Sequence, residues 1–249
     1  MKSHEHDIMR SVEDHYWWYQ ALRRHVADSI QPVRPQFSLL DAGCGTGGML
    51  AALRKRFPEA DLTGIDASEH GVELTEGREL GARLAVASVN ELHFPADSFD
   101  FVLSLDVWSA AGIDDALAAH ESQRVLRPGG RLLLNLAAFE FLKGAHDYAT
   151  DVDRRYTRQQ VRTLLEGAGL QIERLTHWNA TLMPPIALVR WLSRMRLTRA
   201  PEKARSDFRP LPSFANEILK HVATLELTAS RHLSLPFGTS LFAIARKHG

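Results

Sequence analysis

The short apolar run Phe37-Ser-Leu-Leu-Asp41 is followed at once by the glycine-rich segment Gly43-Cys-Gly-Thr-Gly-Gly48. A helix is predicted after the glycines, over 49–57, and a second apolar strand over 61–66. Parallel strands cannot be joined by a tight hairpin and need a longer crossover, usually a helix. The order of strand, glycine turn, helix and strand therefore predicts a βαβ unit.

The same alternation extends outward from this unit. Five further strands are predicted, over 83–87, 99–105, 131–137, 170–175 and 240–246. Helices are predicted over 8–30, 69–80, 114–126 and 157–166, and a turn over 127–130. Apolar strands that alternate with helices are typical of the α/β class, and here they predict a doubly wound, mostly parallel seven-stranded sheet.

We expect 1–249 to form a single domain with four parts. More than sixty residues, interrupted by six prolines, separate the last two strands, and these residues are predicted to form a helical insertion. The four parts are an N-terminal, aromatic helical cap (1–36), a cofactor-binding core (37–181), the insertion (182–236) and a final strand (237–249).

The composition is that of a soluble protein. The 249 residues contain one cysteine, and 30 basic side chains balance 30 acidic ones. The N-terminus has no apolar signal core, and no apolar run approaches the length needed to span a membrane, so a cytoplasmic protein is expected. Residues 182–210, however, hold seven cations against two acidic residues. This segment is either a solvated helix surface or a patch for an anionic acceptor or a membrane surface.

The glycine turn and the two aspartates that end the first two strands predict a nucleoside-binding site. Glycines there allow a ligand to approach the backbone closely, and a carboxylate at Asp66 can accept hydrogen bonds from both ribose hydroxyls. Asp41 precedes the glycines and suits an ammonium group better than a pyrophosphate. No second mononucleotide-binding half follows, so adenosine carrying an amino acid is favoured over a dinucleotide.

Four segments resemble the motifs of class I (Rossmann-like) S-adenosylmethionine-dependent methyltransferases. In chain order they are 39–47, 64–68, 87–100 and 124–134. Less specifically, the aromatic run at 15–18 and polar residues at 146–157 and 179 are similar to a bacterial subgroup with a helical C-terminal insertion. The resemblance implies S-adenosyl-L-methionine as cofactor and S-adenosyl-L-homocysteine as product.

The resemblance also implies roles for individual residues. The methionine part of the cofactor would lie against Asp41 and the turn formed by Gly43, Cys44 and Gly45, and the ribose against Asp66. Adenine would be contacted by Ala67, Ser88 and the backbone around Val89, and Leu105, at the end of the fourth strand, would offer its carbonyl to the amino group. Ser88 departs from the family pattern, in which an aspartate commonly reaches the adenine amino group. A serine accepts that hydrogen bond more weakly.

Other residues have both a functional and a structural interpretation. Trp17 could lie over the cofactor, where an aromatic face attracts a sulfonium, or pack on the sheet edge. His146 and Asp106 are candidate bases, although either could simply be a loop residue. Acceptor contacts are predicted for Trp108, Arg154 and Arg155, although paired arginines next to Asp151 and Asp153 more often form a surface ion-pair cluster.

The sequence thus predicts transfer of a methyl group to an O, N or C nucleophile of a small-molecule acceptor, which could be anionic. Two alternatives stay open: a non-catalytic protein that binds S-adenosylmethionine as a scaffold or regulator, and a nicotinamide-dependent oxidoreductase. No Cys or His spacing suggests a metal site, and no nucleic-acid partner is expected. The insertion serves equally well as a lid over the acceptor or as a homodimer interface.

Overall fold

A computed structural model describes residues 3–197, 211–230 and 233–249, the side chains of 3 and 193–197 excepted. Its centre is a seven-stranded sheet with the order β3-β2-β1-β4-β5-β7-β6. The first five strands run parallel, and β7 is antiparallel to both β5 and β6. The strands are β1 Ser38–Ala42, β2 Asp61–Asp66, β3 Arg83–Val86, β4 Phe99–Leu105, β5 Leu126–Ala137, β6 Leu170–Trp178 and β7 Ser240–Lys247.

Helices cover both faces of the sheet, as expected for a doubly wound protein. The α-helices of the described residues are α1 Ser3–Val12, α2 Trp17–Ser29, α3 Gly48–Arg56, α4 Glu69–Glu76, α5 Asp115–Val125, α6 Ala145–Ala149, α7 Arg158–Gly167, α8 Met183–Leu197 and α9 Ser213–Ala229. A short 3-10 helix, Glu140–Leu142, precedes α6. None of the helices in these ranges is long and apolar enough to cross a membrane.

The central strands are buried on both sides because consecutive residues point to opposite faces. Leu40, Val102 and Leu132 pack in one apolar cluster, beneath α5 and α7. Their neighbours in the chain contribute to a second cluster, beneath α2 and α3, and these are Leu39, Leu103 and Leu133. The central strands of this sheet therefore require apolar residues at every position rather than at alternate positions.

Two predicted elements differ from the observed ones. The helix predicted over 8–30 is two helices, because residues 13–16 form a turn that buries the side chain of Glu13. The turn predicted over 127–130 lies within β5: Phe99 pairs with Leu126 and Phe101 with Arg131, so the intervening residues bulge out of the ladder. Gly129, with φ of +80°, permits this bulge.

The insertion is helical where it is described, in agreement with the prediction. Its helix α9 packs against α2, so the N-terminal and C-terminal parts of the chain meet on one face of the sheet. Four of the predicted cations, Arg199, Lys203, Arg205 and Arg209, lie outside the described residues, and only the backbone of Arg194 and Arg196 is described.

Candidate functional site

The glycine turn after β1 is closely approached by neighbouring side chains. Its three alternate glycines have φ of +100° (Gly43), +55° (Gly45) and +79° (Gly47), a region that side chains with a Cβ rarely adopt. The backbone N–H groups of Gly43 and Cys44 both donate to the carbonyl of Ile65, at 2.8 Å. A Cβ on Gly43 would lie 2.1 Å from the side chain of Val107, which follows β4. Glycine is therefore required here by close approach as well as by backbone conformation.

Asp66, at the end of β2, is fixed beside this turn. One carboxylate oxygen accepts a hydrogen bond from the N–H of Gly45 at 2.9 Å, and the other accepts from the N–H of Ser68 at 2.9 Å. Each carboxylate oxygen can accept further hydrogen bonds. The structure thus brings the predicted ribose acceptor next to the predicted methionine-binding turn.

Asp41 is a buried carboxylate without a partner on one oxygen. It is 2% exposed, and its Oδ2 has no hydrogen-bond partner among the described residues. Burial, together with the negative charges of Asp66 and Glu13, raises the pKa of Asp41 from 3.8 to about 7. An unpaired buried carboxylate is costly unless a cation or a hydrogen-bond donor occupies the adjacent space.

Ion pairs and hydrogen bonds connect the turn between α1 and α2 to the glycine turn. Glu13 is 4% exposed and accepts hydrogen bonds from the hydroxyl of Thr46 and from the guanidinium of Arg78. Arg78 also donates to the carbonyl of Thr46 at 2.6 Å and pairs with Asp14 at 3.3 Å. Arg23 pairs with Asp14 at 3.1 Å. The N-terminal cap is therefore attached directly to the predicted cofactor site.

The remaining predicted cofactor residues follow β1, β2, β3 and β4 at the same edge of the sheet. Ala67 is exposed, Val89 is buried, and Ser88 and Leu105 lie between these extremes. The hydroxyl of Ser88 accepts from the N–H of Asn90 at 3.2 Å. Cys44 is buried in the glycine turn, and burial raises the pKa of its thiol, so this residue fills space rather than acting as a nucleophile.

Asp106 follows β4 and is held by a chain of polar side chains. Its φ is +62°, and both of its carboxylate oxygens accept from the amide nitrogen of Asn135, at 3.0 and 2.9 Å. The amide oxygen of Asn135 accepts in turn from the indole N–H of Trp178 at 2.7 Å. Trp178 is stacked on Trp18, with ring centroids 5.6 Å apart. Burial raises the pKa of Asp106 to about 7, against the opposing effects of Asn135 and the positive charge of Arg155.

The aromatic residues of α2 have different environments: Trp17 packs in an apolar cluster, and Tyr19 lies near charged residues of the candidate site. Trp17 is 6% exposed and packs in the apolar cluster beneath α2, and its backbone N–H donates to Asn216 of α9. Tyr19 lies near Glu13 and Asp106, whose negative charges, together with burial, raise the pKa of its hydroxyl. Contact between Trp17 and a cofactor stays a prediction, while Tyr19 lies within the electrostatic influence of Glu13 and Asp106.

The residues predicted to bind the acceptor or act near it are largely engaged in structure. Trp108 is fully buried and thus not available to an acceptor in this conformation. Arg154 pairs with Asp115 at 3.1 Å. Arg155 is buried and pairs with the fully buried Asp147 at 2.7 Å. Both arginines thus form ion pairs, and His146 lies partly exposed in α6 beside Asp147.

Sequence reasoning missed three residues of this site. Asn135 is a polar residue in the apolar run Leu132-Leu-Leu-Asn-Leu136, and that interruption could have identified it. Tyr19 belongs to the aromatic run but could not be separated from its neighbours by spacing alone. Glu13 gave no signal, because its burial depends on a helix break that the polar N-terminal sequence does not predict.

The fold is that of an α/β protein, and the candidate site at the edge of its sheet is acidic. Residues 40–134 match the family described as Methyltransferase domain. The chain is 36% identical over 140 residues to the ubiquinone/menaquinone biosynthesis C-methyltransferase UbiE of Dinoroseobacter shibae, covering 52% of this chain and 53% of that protein. It is 32% identical over 151 residues to the malonyl-[acyl-carrier protein] O-methyltransferase of Herminiimonas arsenicoxydans, covering 57% and 55%.

A similar fold is seen in a chain of the Haloferax volcanii complex that contains the Trm112 methyltransferase activator. The TM-score is 0.64 at 18% identity, over 99% of this chain and 94% of that one. Over residues 40–134 and their surroundings, the chain is therefore similar to methyltransferases. It spans about half the length of the curated relatives that it matches.

Proposed function

We propose that this protein transfers a methyl group from S-adenosylmethionine to a small-molecule acceptor. The observation that carries the proposal is the unpaired, buried carboxylate of Asp41 beside a glycine turn, with Asp66 fixed on the adjacent strand. The α-ammonium group of the cofactor would give Asp41 the partner that it lacks. The ribose hydroxyls would donate to Asp66, and the adenine would lie against Ala67, Ser88 and Val89.

The charge of the pocket favours this cofactor over a dinucleotide. Glu13, Asp41, Asp66 and Asp106 surround the edge of the sheet where the ligand would bind. S-adenosylmethionine carries a sulfonium, an ammonium and one carboxylate, and so has a net positive charge. A pyrophosphate would bring two negative charges toward these carboxylates, and like charges in a poorly solvated site repel strongly. This reasoning counts against the nicotinamide-dependent alternative.

The protein has to contribute little to the chemical activation of the methyl group. When bound, the cofactor supplies a methyl group that is already activated by the positive charge on sulfur. The protein aligns the acceptor with that methyl group and excludes water, which is the main requirement for such a displacement. We assign the role of general base to Asp106 for acceptors whose nucleophile is an O–H or N–H group, because a carboxylate with a pKa of about 7 takes up a proton at neutral pH.

The proposed acceptor is a small molecule with an O, N or C nucleophile. The two curated relatives are named for C-methylation in quinone biosynthesis and for O-methylation of malonyl-[acyl-carrier protein], so both a carbon and an oxygen nucleophile occur among similar proteins. Asp106 suits a protonated nucleophile. His146 is the second candidate base, and it lies in α6, after β5.

Calorimetry with S-adenosylhomocysteine and with NAD tests the cofactor assignment. We expect binding of S-adenosylhomocysteine and none of NAD. Asp66→Ala should weaken that binding about tenfold or more, because hydrogen bonds to a charged group contribute about 1.5–3 kcal/mol each. Binding of NAD alone would refute the proposal. Incubation of the protein with methyl-labelled S-adenosylmethionine and a metabolite extract, followed by mass spectrometry, then separates an enzyme from a scaffold that binds the cofactor without transfer.

A further inference from the structure

Helix α8 presents an apolar face to solvent. Three of its residues are large, apolar and more than half exposed: Leu188 (56%), Val189 (61%) and Trp191 (59%). Leu192 is also exposed. Arg190 is the one charged residue between 183 and 192, and it points inward, where it donates to the carbonyl of Leu142 at 3.1 Å and lies 3.6 Å from the buried Asp147.

The two short helices that pack against α8 extend this face. Phe141, in the 3-10 helix, is 61% exposed, and Tyr148, in α6, is 50% exposed. Glu140 lies at the edge of this area, and its carboxylate is paired with Lys143 at 3.5 Å. Soluble monomers rarely leave large contiguous apolar areas uncovered. We name this surface the α8 patch, and it consists of Phe141, Tyr148, Leu188, Val189, Trp191 and Leu192.

The charge of the adjoining sequence indicates what covers the α8 patch. Arg194 and Arg196 occupy the last turns of α8, directly after the apolar residues, and cations dominate the sequence as far as Arg209. An apolar helix face with an aromatic residue and neighbouring arginines is typical of helices that lie in the interface of an anionic bilayer. In a two-fold interface the same surface is used by both copies, so a second copy of this chain would add cationic sequence rather than complementary negative charge.

We propose that the α8 patch docks the protein on the surface of an anionic membrane. The helix lies in the plane of the interface with its apolar residues among the headgroups and upper acyl chains. Tryptophan and tyrosine are suited to this depth because their rings are amphipathic. Burial of the apolar side chains holds the protein there, and the arginines select anionic lipid.

Vesicle co-sedimentation tests this proposal with the full-length protein. Vesicles of phosphatidylcholine alone and of phosphatidylcholine with phosphatidylglycerol are compared at low and high salt. We expect binding to the anionic vesicles only, and weaker binding at high salt. Leu188→Glu and Trp191→Glu should each reduce the partition coefficient about tenfold or more, because each removes one large apolar contact and adds a charge.

Leu117→Glu is the matched control, because Leu117 is 50% exposed on α5 and lies outside the α8 patch. It should bind vesicles like the unsubstituted protein. Unchanged affinity for S-adenosylhomocysteine shows that each variant is folded. Absence of vesicle binding by the unsubstituted protein would overturn the proposal. So would loss of a dimer in sedimentation velocity for Leu188→Glu without any effect on lipid, since the patch would then be an interface between two copies.

Discussion

At the scale of single residues, the environment of Asp41 favours binding of a cationic ligand but lowers the stability of the ligand-free protein. The shift of its pKa from 3.8 to about 7 means that burial, together with the charges of Asp66 and Glu13, disfavours the ionised carboxylate by on the order of 4 kcal/mol. A residue with only a structural role would gain from a neutral side chain of the same shape. A cation bound beside the carboxylate would explain why this residue is an aspartate.

This cost predicts an unusual behaviour of Asp41→Asn. Because the folded-state pKa is raised, the folded protein binds more protons than the unfolded chain between about pH 4 and 7, and the contribution of Asp41 to stability falls as pH rises through that window. Above pH 7, Asp41→Asn should therefore raise the free energy of unfolding of the ligand-free protein by about 1 kcal/mol or more. The same variant should weaken binding of S-adenosylhomocysteine about tenfold or more.

Urea denaturation between pH 5 and 8.5, together with calorimetry, measures both effects. Asp100→Asn serves as the comparison, because the pKa of Asp100 is lowered by hydrogen bonds from Ser38 and by Arg127, so this variant should lose stability at neutral pH. If Asp41→Asn is destabilising at pH 8 and leaves ligand affinity unchanged, then Asp41 is a structural carboxylate.

At the scale of elements, the edge formed by β4, β5 and β6 sets the properties of Asp106. Asn135 of β5 donates to both carboxylate oxygens, and Trp178 of β6 orients the Asn135 amide by donating to its oxygen. The hydrogen bond from Asn135 lowers the pKa of Asp106, which burial has raised. Removal of the Asn135 amide should therefore raise the pKa of Asp106 further.

We predict that Asn135→Leu raises the pKa of Asp106 from about 7 by about one unit. Carbon-13 NMR of labelled aspartate side chains reports this titration directly and requires no knowledge of the acceptor. Trp178→Phe is the control, since it keeps an aromatic ring against Trp18 and removes only the donor to the amide oxygen. Its effect on Asp106 should be much smaller. An Asp106 titration that is the same in Asn135→Leu and the unsubstituted protein would show that this hydrogen bond does not control the base.

The elements also show how far the sequence predicts the site. The glycine turn and both strand-ending aspartates were predictable because they all lie within one βαβ unit and have a local geometric cause. The Asp106–Asn135–Trp178 chain joins three strands that are far apart in sequence, and neither its register nor its hydrogen bonds follow from any local pattern. The partner of Arg155 was not predictable for a similar reason. Asp147 lies eight positions away in the chain, beyond the spacing of a helical ion pair.

At the scale of the whole molecule, the insertion and the N-terminal cap behave as one covering layer. The side-chain oxygen of Asn216, in α9, accepts from the N–H of Trp17 at 2.9 Å, and its amide donates to the carbonyl of His15 at 2.7 Å. Asn216 thereby satisfies a backbone N–H at the start of α2, where helices have unpaired donors. Helix α2 carries Trp18 and Tyr19, so α9 supports the helix that holds these aromatic residues.

Asn216→Ala should therefore loosen two helices that are almost two hundred residues apart in the chain. We expect the free energy of unfolding to fall by about 1–2 kcal/mol, because two hydrogen bonds are lost and one helix donor is left without its cap. Hydrogen exchange should become faster in 17–29 and in 213–229 together, since each helix buries its apolar face against the other. Lys220→Ala, which removes only an exposed ion pair with Glu217 on α9, should leave both segments unchanged. Faster exchange confined to 213–229 in Asn216→Ala would show that α2 is held by the sheet alone, and that the insertion does not support the aromatic side of the site.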